Sequence, residues 1–153
     1  MAYIKYKELT KYFDFSKYIS NDQLPKYTLD YVYEDETLLV CYKTFRDYGL
    51  FTDKKIVLFD NALSVSPFKK TYTIPYNNIS SCSIIYRPSK VELSFDMDSG
   101  YQLRLKFVSM GIEDKIRLRL LYSCITRIIA DQKPSKEIYE MLTENKIIVK
   151  KEK

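Results

Sequence analysis

The sequence predicts a mostly β protein of the α+β class: a bent antiparallel sandwich or barrel of about seven strands, capped by a C-terminal helix. Three observations predict it. Between residues 37 and 107, apolar and polar residues alternate in short runs broken by turn residues. No helical pattern interrupts those runs, so no crossover can join parallel strands. From residue 112 the apolar period changes from two to three and four, and an amphipathic helix follows.

The elements follow in order. In residues 5–19, Leu9, Tyr12, Phe13 and Ser16 fall at helical spacing with Lys and Glu between them. This predicts one short amphipathic helix or two, which Asn21-Asp22-Gln23-Leu24-Pro25 ends. An acidic stretch over 30–36 leads into the sheet. Residues 37–43 form a strand of mixed exposure, and 48–52 and 55–59 form two more. Thr52-Asp53-Lys54 is the hairpin turn between the last two, because Asp suits turn backbone. Asp60-Asn61-Ala62 turns the chain again, and 63–68 is an extension or loop. A strand over 70–74 stops at Pro75. Another over 79–86 stops at Arg87-Pro88. Val91, Leu93 and Phe95, then Leu103, Leu105 and Phe107, alternate with polar residues around an Asp98-Ser99-Gly100 turn.

Ile112, Ile116, Leu120, Leu121, Cys124, Ile125, Ile128 and Ile129 then draw one broad apolar helical face. Glu113 and Asp114 suit the first turn of that helix, where the dipole favours acids. Lys133-Pro134 ends it. A second helix runs from Pro134 to about Asn145, and 146–153 is a short strand or a tail. The expected organisation is a helical N-terminal arm over 1–30, the main domain over 35–131, and a C-terminal helix and tail over 132–153.

Composition narrows the chemistry. The 153 residues include no histidine, which removes Ser/His, Cys/His and His-ligand metal sites together. No phosphate-cradling glycine loop or nucleophile motif occurs, so an enzyme is not expected and no cofactor is implied. Cys41, Cys82 and Cys124 have neither zinc nor redox spacing and read as buried small hydrophobes. Net charge is +5, with −2 over residues 1–36, +4 over 37–107 and +3 over 108–153. Acids interleave with this excess, and a nucleic-acid partner would call for a denser basic stripe. The N-terminus has no apolar core of signal-peptide length and no window reaches 18 apolar residues, so a cytoplasmic location is expected. Lysine outnumbers arginine 19 to 6, and Ile and Tyr each occur 15 times, the footprint of an AT-rich genome. An accessory protein of a low-GC bacterium or of its phage fits that composition.

One succession of residues is more specific. An acid precedes the first strand (Glu36), and Arg46-Asp47 ends it. Phe51-Thr52-Asp53-Lys54-Lys55 matches a Phe-Thr-Asn-Lys-Arg turn; an aliphatic run reaches Asp60, and Ile74-Pro75-Tyr76 precedes Ile79. Over about 35–130 this resembles the bacterial pleckstrin-homology family. The chain departs from it at Asn61-Ala62-Leu63-Ser64, where the family carries a glycine-rich bend. It departs again at Arg87-Pro88-Ser89-Lys90, where the family carries an acidic segment.

The resemblance implies a non-catalytic fold and two uses for it. The first is protein interaction or self-assembly, as in ring-forming relatives. The Tyr-rich arm, with Tyr3, Tyr6, Tyr12, Phe13, Tyr18, Tyr27, Tyr31 and Tyr33, is the expected contact with a protein partner or a second copy. The alternative is a membrane surface. Lys43, Arg46, Lys54, Lys55, Lys69 and Lys70 come from strand ends that this fold gathers at one mouth, where lipid-binding relatives hold anionic headgroups. The dense Lys-x-n-Arg-x-Arg pattern of those binders is absent. Pro75-Tyr76 reads as a structural corner, with the Tyr76 hydroxyl near solvent.

Overall fold

The structure, a computed structural model, describes residues 10–44, 48–60 and 70–144. Side chains at 10–13, 60 and 70 fall outside that description. Eight strands form one sheet: β1 Thr10–Ile19, β2 Leu38–Thr44, β3 Tyr48–Thr52, β4 Lys55–Asp60, β5 Lys70–Pro75, β6 Ile79–Arg87, β7 Lys90–Met97 and β8 Gln102–Val108. Three helices accompany them: the single-turn α1 Lys26–Leu29, the long α2 Ile112–Ile129 and the short α3 Lys136–Thr143. The strand order is β5-β4-β3-β2-β1-β8-β7-β6.

Of the helix expected over 5–19, residues 5–9 lie outside the described residues and the rest is β1, at the middle of the sheet. It pairs antiparallel with β2 and parallel with β8. β1 carries a bulge. Register against β2 shifts between Phe15 and Lys17, and an extra residue reverses the faces beyond it. Phe15 and Tyr18 therefore share the inner core, while Ile19 joins the outer one. The aromatic content of 10–19 favours the strand. The sheet thus has one strand more than the sequence predicts, and one parallel ladder in an otherwise antiparallel set.

Both halves of the sheet share one core, so the sheet must bend over itself. Ile56 and Leu58 of β4 belong to the same buried cluster as Val91, Leu93 and Phe95 of β7 and Phe107 of β8. α2 caps this cluster with Leu118, Leu121, Cys124 and Ile125. It packs on β6, β7 and the 3-10 turn Tyr76–Asn78. Each such side chain contributes roughly 1.5–3 kcal/mol by leaving water. The expected apolar face is rotated at its start, however: Ile112 is 71% exposed. The Gly111 amide donates to Asp114 Oδ2 at 3.1 Å, capping the first turn. Ser135 caps α3 by accepting from the Ile138 amide. Leu142 then enters the core from α3.

A second, smaller cluster covers the outer face of β2, β3 and β4. Cys41, Leu50, Val57 and Phe59 meet Ile19 and Leu24 there. Residues 20–36 lie over this face, so β3 is largely buried on both sides, and so is β2, of which mixed exposure is expected. Tyr76 is fully buried, and its hydroxyl donates to the Thr52 carbonyl at 2.8 Å. This corrects the expectation of a hydroxyl near solvent: burying that group demands a partner.

All three cysteines are free thiols. Burial pushes the Cys41 thiol up to about 12 and the Cys124 thiol to about 11. Cys82 on β6 is only half-buried. A thiol reagent at pH 8 is therefore expected to label Cys82 in the native protein and to reach Cys41 and Cys124 only after unfolding. Mass spectrometry of the labelled protein checks this, and rapid native labelling at Cys41 would contradict it.

Candidate functional site

The lysines expected at the barrel mouth do not present a set of bare charges. The β3–β4 hairpin places them. Thr52 Oγ1 accepts from the amides of Lys54 and Lys55, and Asp53 Oδ1 accepts from the Thr37 amide at 3.0 Å. That turn sends Lys54 toward Asp35 and Lys55 toward Glu36. Lys54 Nζ lies 2.6 Å from Asp35 Oδ2 at the surface. The Lys54 hydrogen bond holds the Asp35 carboxyl below its ordinary range. Lys55 Nζ lies 2.7 Å from Glu36 Oε1, with the two side chains 10% and 2% exposed. Its ammonium also sits 3.9 Å above the Tyr33 ring centre. Glu36 Oε2 has no hydrogen-bond partner among the described residues. Lys43 is exposed on β2, 6.0 Å from the Tyr48 ring centre. Lys70 opens β5, and Arg46 and Lys69 lie outside the described residues.

The tyrosine-rich arm divides into two parts. Tyr3 and Tyr6 lie outside the described residues, and Tyr12 and Phe13 occupy β1 opposite Arg104 and Leu105. Tyr18, also on β1, is half-buried under the Arg117 guanidinium, which sits 3.7 Å from its ring centre. Arg117 in turn binds Asp114 Oδ1 at 3.0 Å and Glu113 Oε1 at 3.1 Å. Burial raises the Tyr18 hydroxyl above its ordinary value, and Arg117 partly opposes the shift. These contacts tie α2 to β1.

The remaining tyrosines behave differently. Tyr27 and Tyr31 meet the Phe59 ring edge-on, at 5.6 and 5.2 Å between centres, yet both remain exposed. Leu29 is exposed between them, and Tyr33 is 65% exposed. Exposed Asp30, Glu34 and Asp35 intersperse this patch. Residues 26–36 thus carry an acidic aromatic surface held on β4 by Phe59 and by the Lys55–Glu36 pair.

A mostly apolar cleft of about 440 Å³ lies elsewhere, between β5 and the β7–β8 turn. Tyr72, Ile74, Pro75, Met97 and Leu103 line it. Among the described residues, no three His, Cys, Asp or Glu side chains converge as metal ligands would. No helix among them is long and apolar enough to cross a membrane.

A bent sheet with a C-terminal capping helix is the pleckstrin-homology plan, and comparison bears this out. The family model described as bacterial PH domain matches residues 10–129. The chain belongs to the bacterial PH domain family. It is similar to a duf1696 family protein with a pleckstrin-homology domain from Shewanella loihica PV-4. That likeness has 16% identity and a TM-score of 0.57, over 73% of this chain and 95% of the other. It is also similar to a PH domain containing bacterial protein from Exiguobacterium sibiricum 255-15. There the identity is 19% and the TM-score 0.58, over 76% of this chain but only 62% of that one. Comparison with curated proteins gives no match.

Proposed function

We propose that this chain is a non-catalytic interaction module that associates with a second copy of itself through the acidic aromatic surface of residues 26–36. The observation that carries the reading is the exposure of Tyr27, Leu29, Tyr31 and Tyr33 on one short segment. Exposed large apolar side chains clustered together mark contact surfaces, and tyrosine is enriched in them. Fold alone would not decide this, since one fold hosts many uses. Binding of anionic lipid headgroups at the mouth has less support, because Lys54 and Lys55 already spend their charge on Asp35 and Glu36.

Removing residues 1–30 cannot test the reading, because it removes β1 from the middle of the sheet. Leu29→Ser combined with Tyr33→Ser leaves the strands intact. The unaltered protein is expected to show a multiple of 18.2 kDa by light scattering, and the double variant the protomer mass. An unaltered protein at protomer mass, or a variant of unchanged mass, would refute self-association through this surface.

A further inference from the structure

The large apolar side chains exposed among the described residues fall in two places. Tyr27, Leu29, Tyr31 and Tyr33 share the segment of residues 26–36, over the outer face of β2, β3 and β4. Tyr86 and Ile112 lie at the end of β6 and the start of α2, with Ile85 on the other face of β6. β6 is the edge strand farthest from β5, so the two surfaces occupy different parts of the sheet.

Their charges are opposite. Ile112, Lys115, Ile116 and Arg119 recur at three and four residues and share one stripe of α2. Tyr86 borders that stripe. Lys115 and Arg119 stand one helical turn apart, a like-charge pair that weakens a helix unless an opposite charge faces it. Among the described residues neither has a carboxylate partner. The neighbouring acids, Glu113 and Asp114, bind Arg117, and Lys115 Nζ donates to the neutral Pro88 carbonyl at 2.8 Å. In residues 26–36 the excess is negative. Lys54 and Lys55 bind Asp35 and Glu36. Asp30 and Glu34 are exposed, have no cation within ion-pair reach among the described residues, and outnumber Lys26, the segment's one cation. Two such segments set face to face would gather two of these carboxylates from each copy against one Lys26 from each. That arrangement leaves the excess unopposed and the cations of α2 unused.

We infer that self-association joins unlike surfaces: residues 26–36 of one copy seat on the Ile112–Arg119 stripe of α2 on another. This rests on the self-association proposed for residues 26–36 and names the surface that receives them. The tyrosines and Leu29 cover Ile112, Ile116 and Tyr86, removing apolar area of both copies from water. Asp30 and Glu34 face Lys115 and Arg119. Apolar contact alone would let either surface meet its own kind; the opposed charges select the unlike pairing.

The test reverses charge on one surface at a time in the full chain. Asp30→Lys with Glu34→Lys makes the segment positive, and Lys115→Glu with Arg119→Glu makes the stripe negative. Each double variant alone is expected at the protomer mass of 18.2 kDa by light scattering, because like charges then meet at the contact. Mixed in equal amounts, the two are expected to exceed that mass, because each reversed surface now finds an opposite one. Recovery in the mixture also requires both variants to be folded. Ile112→Ser probes the stripe without altering charge. That side chain is 71% exposed, so thermal melting should not change, while dissociation on dilution should set in at a concentration at least about fivefold higher. A stripe variant that keeps the unaltered mass overturns the inference and leaves self-association through residues 26–36 standing. An Ile112→Ser protein that dissociates at the unaltered concentration overturns it too, as do folded charge variants that stay protomeric when mixed. An unaltered protein at protomer mass overturns the self-association itself.

Discussion

Phe15→Ala is expected to destabilise the protein by about 3–5 kcal/mol, the usual range for emptying a buried aromatic site. Phe15 is fully buried at the centre of the sheet. Its ring stacks on Phe107 of β8 at 5.0 Å between centres and meets Tyr42 of β2 and Phe51 of β3 at 6.0 and 6.4 Å. One side chain thus joins strands on both sides of β1. β3, on the far side of β2, leaves room for it: a Cβ on Gly49 would fall 2.5 Å from the Phe15 ring. The cavity left by alanine cannot collapse easily, because three other rings are held by their own strands. Urea denaturation with an unchanged slope and a lowered midpoint is the expected readout. A loss below about 1 kcal/mol would mean that β1 is peripheral after all.

Lys55→Met is expected to cost about 3–5 kcal/mol as well, because it strands the Glu36 carboxylate without its partner. Glu36 is the less accessible of the two, and among the described residues one of its oxygens has no hydrogen-bond partner. Combining Lys55→Met with Glu36→Leu should recover most of the loss, since apolar replacement of a whole buried pair is often neutral. A double variant no more stable than the single one would show that the pair is not energetically coupled. The recovered protein should still differ in one respect. Without the ammonium, the Tyr33 ring loses its cation, and residues 33–36 lose their anchor to β4. Loss of self-association with retained stability would separate the two roles.

The legibility of this chain follows the range of the interactions involved. β7 and β8 were legible because Leu93, Phe95, Leu103, Leu105 and Phe107 alternate without interruption and face one core. α2 was legible because its period changes sharply at Gly111. Its rotation was not, so Ile112 read as core although it overhangs the end of the sheet. β1 was illegible because Leu9, Tyr12, Phe13 and Ser16 have helical spacing, while the strand is fixed by distant partners on β2 and β8. Parallel pairing with β8 leaves no local mark at all. Of the candidate site, the basic residues were visible, but their neutralisation by Asp35 and Glu36 depends on a contact across nineteen positions.

The central place of β1 also sets a timetable for the chain. Thr10 pairs with Gln102 and Phe15 with Phe107, so β1 leaves a ribosome long before the neighbour it needs. Contacts this distant carry a large loop-closure cost before any reward, which slows folding. Until β8 emerges, β1 has one flank without a mate, and a nascent chain in that condition is exposed to pairing with strangers.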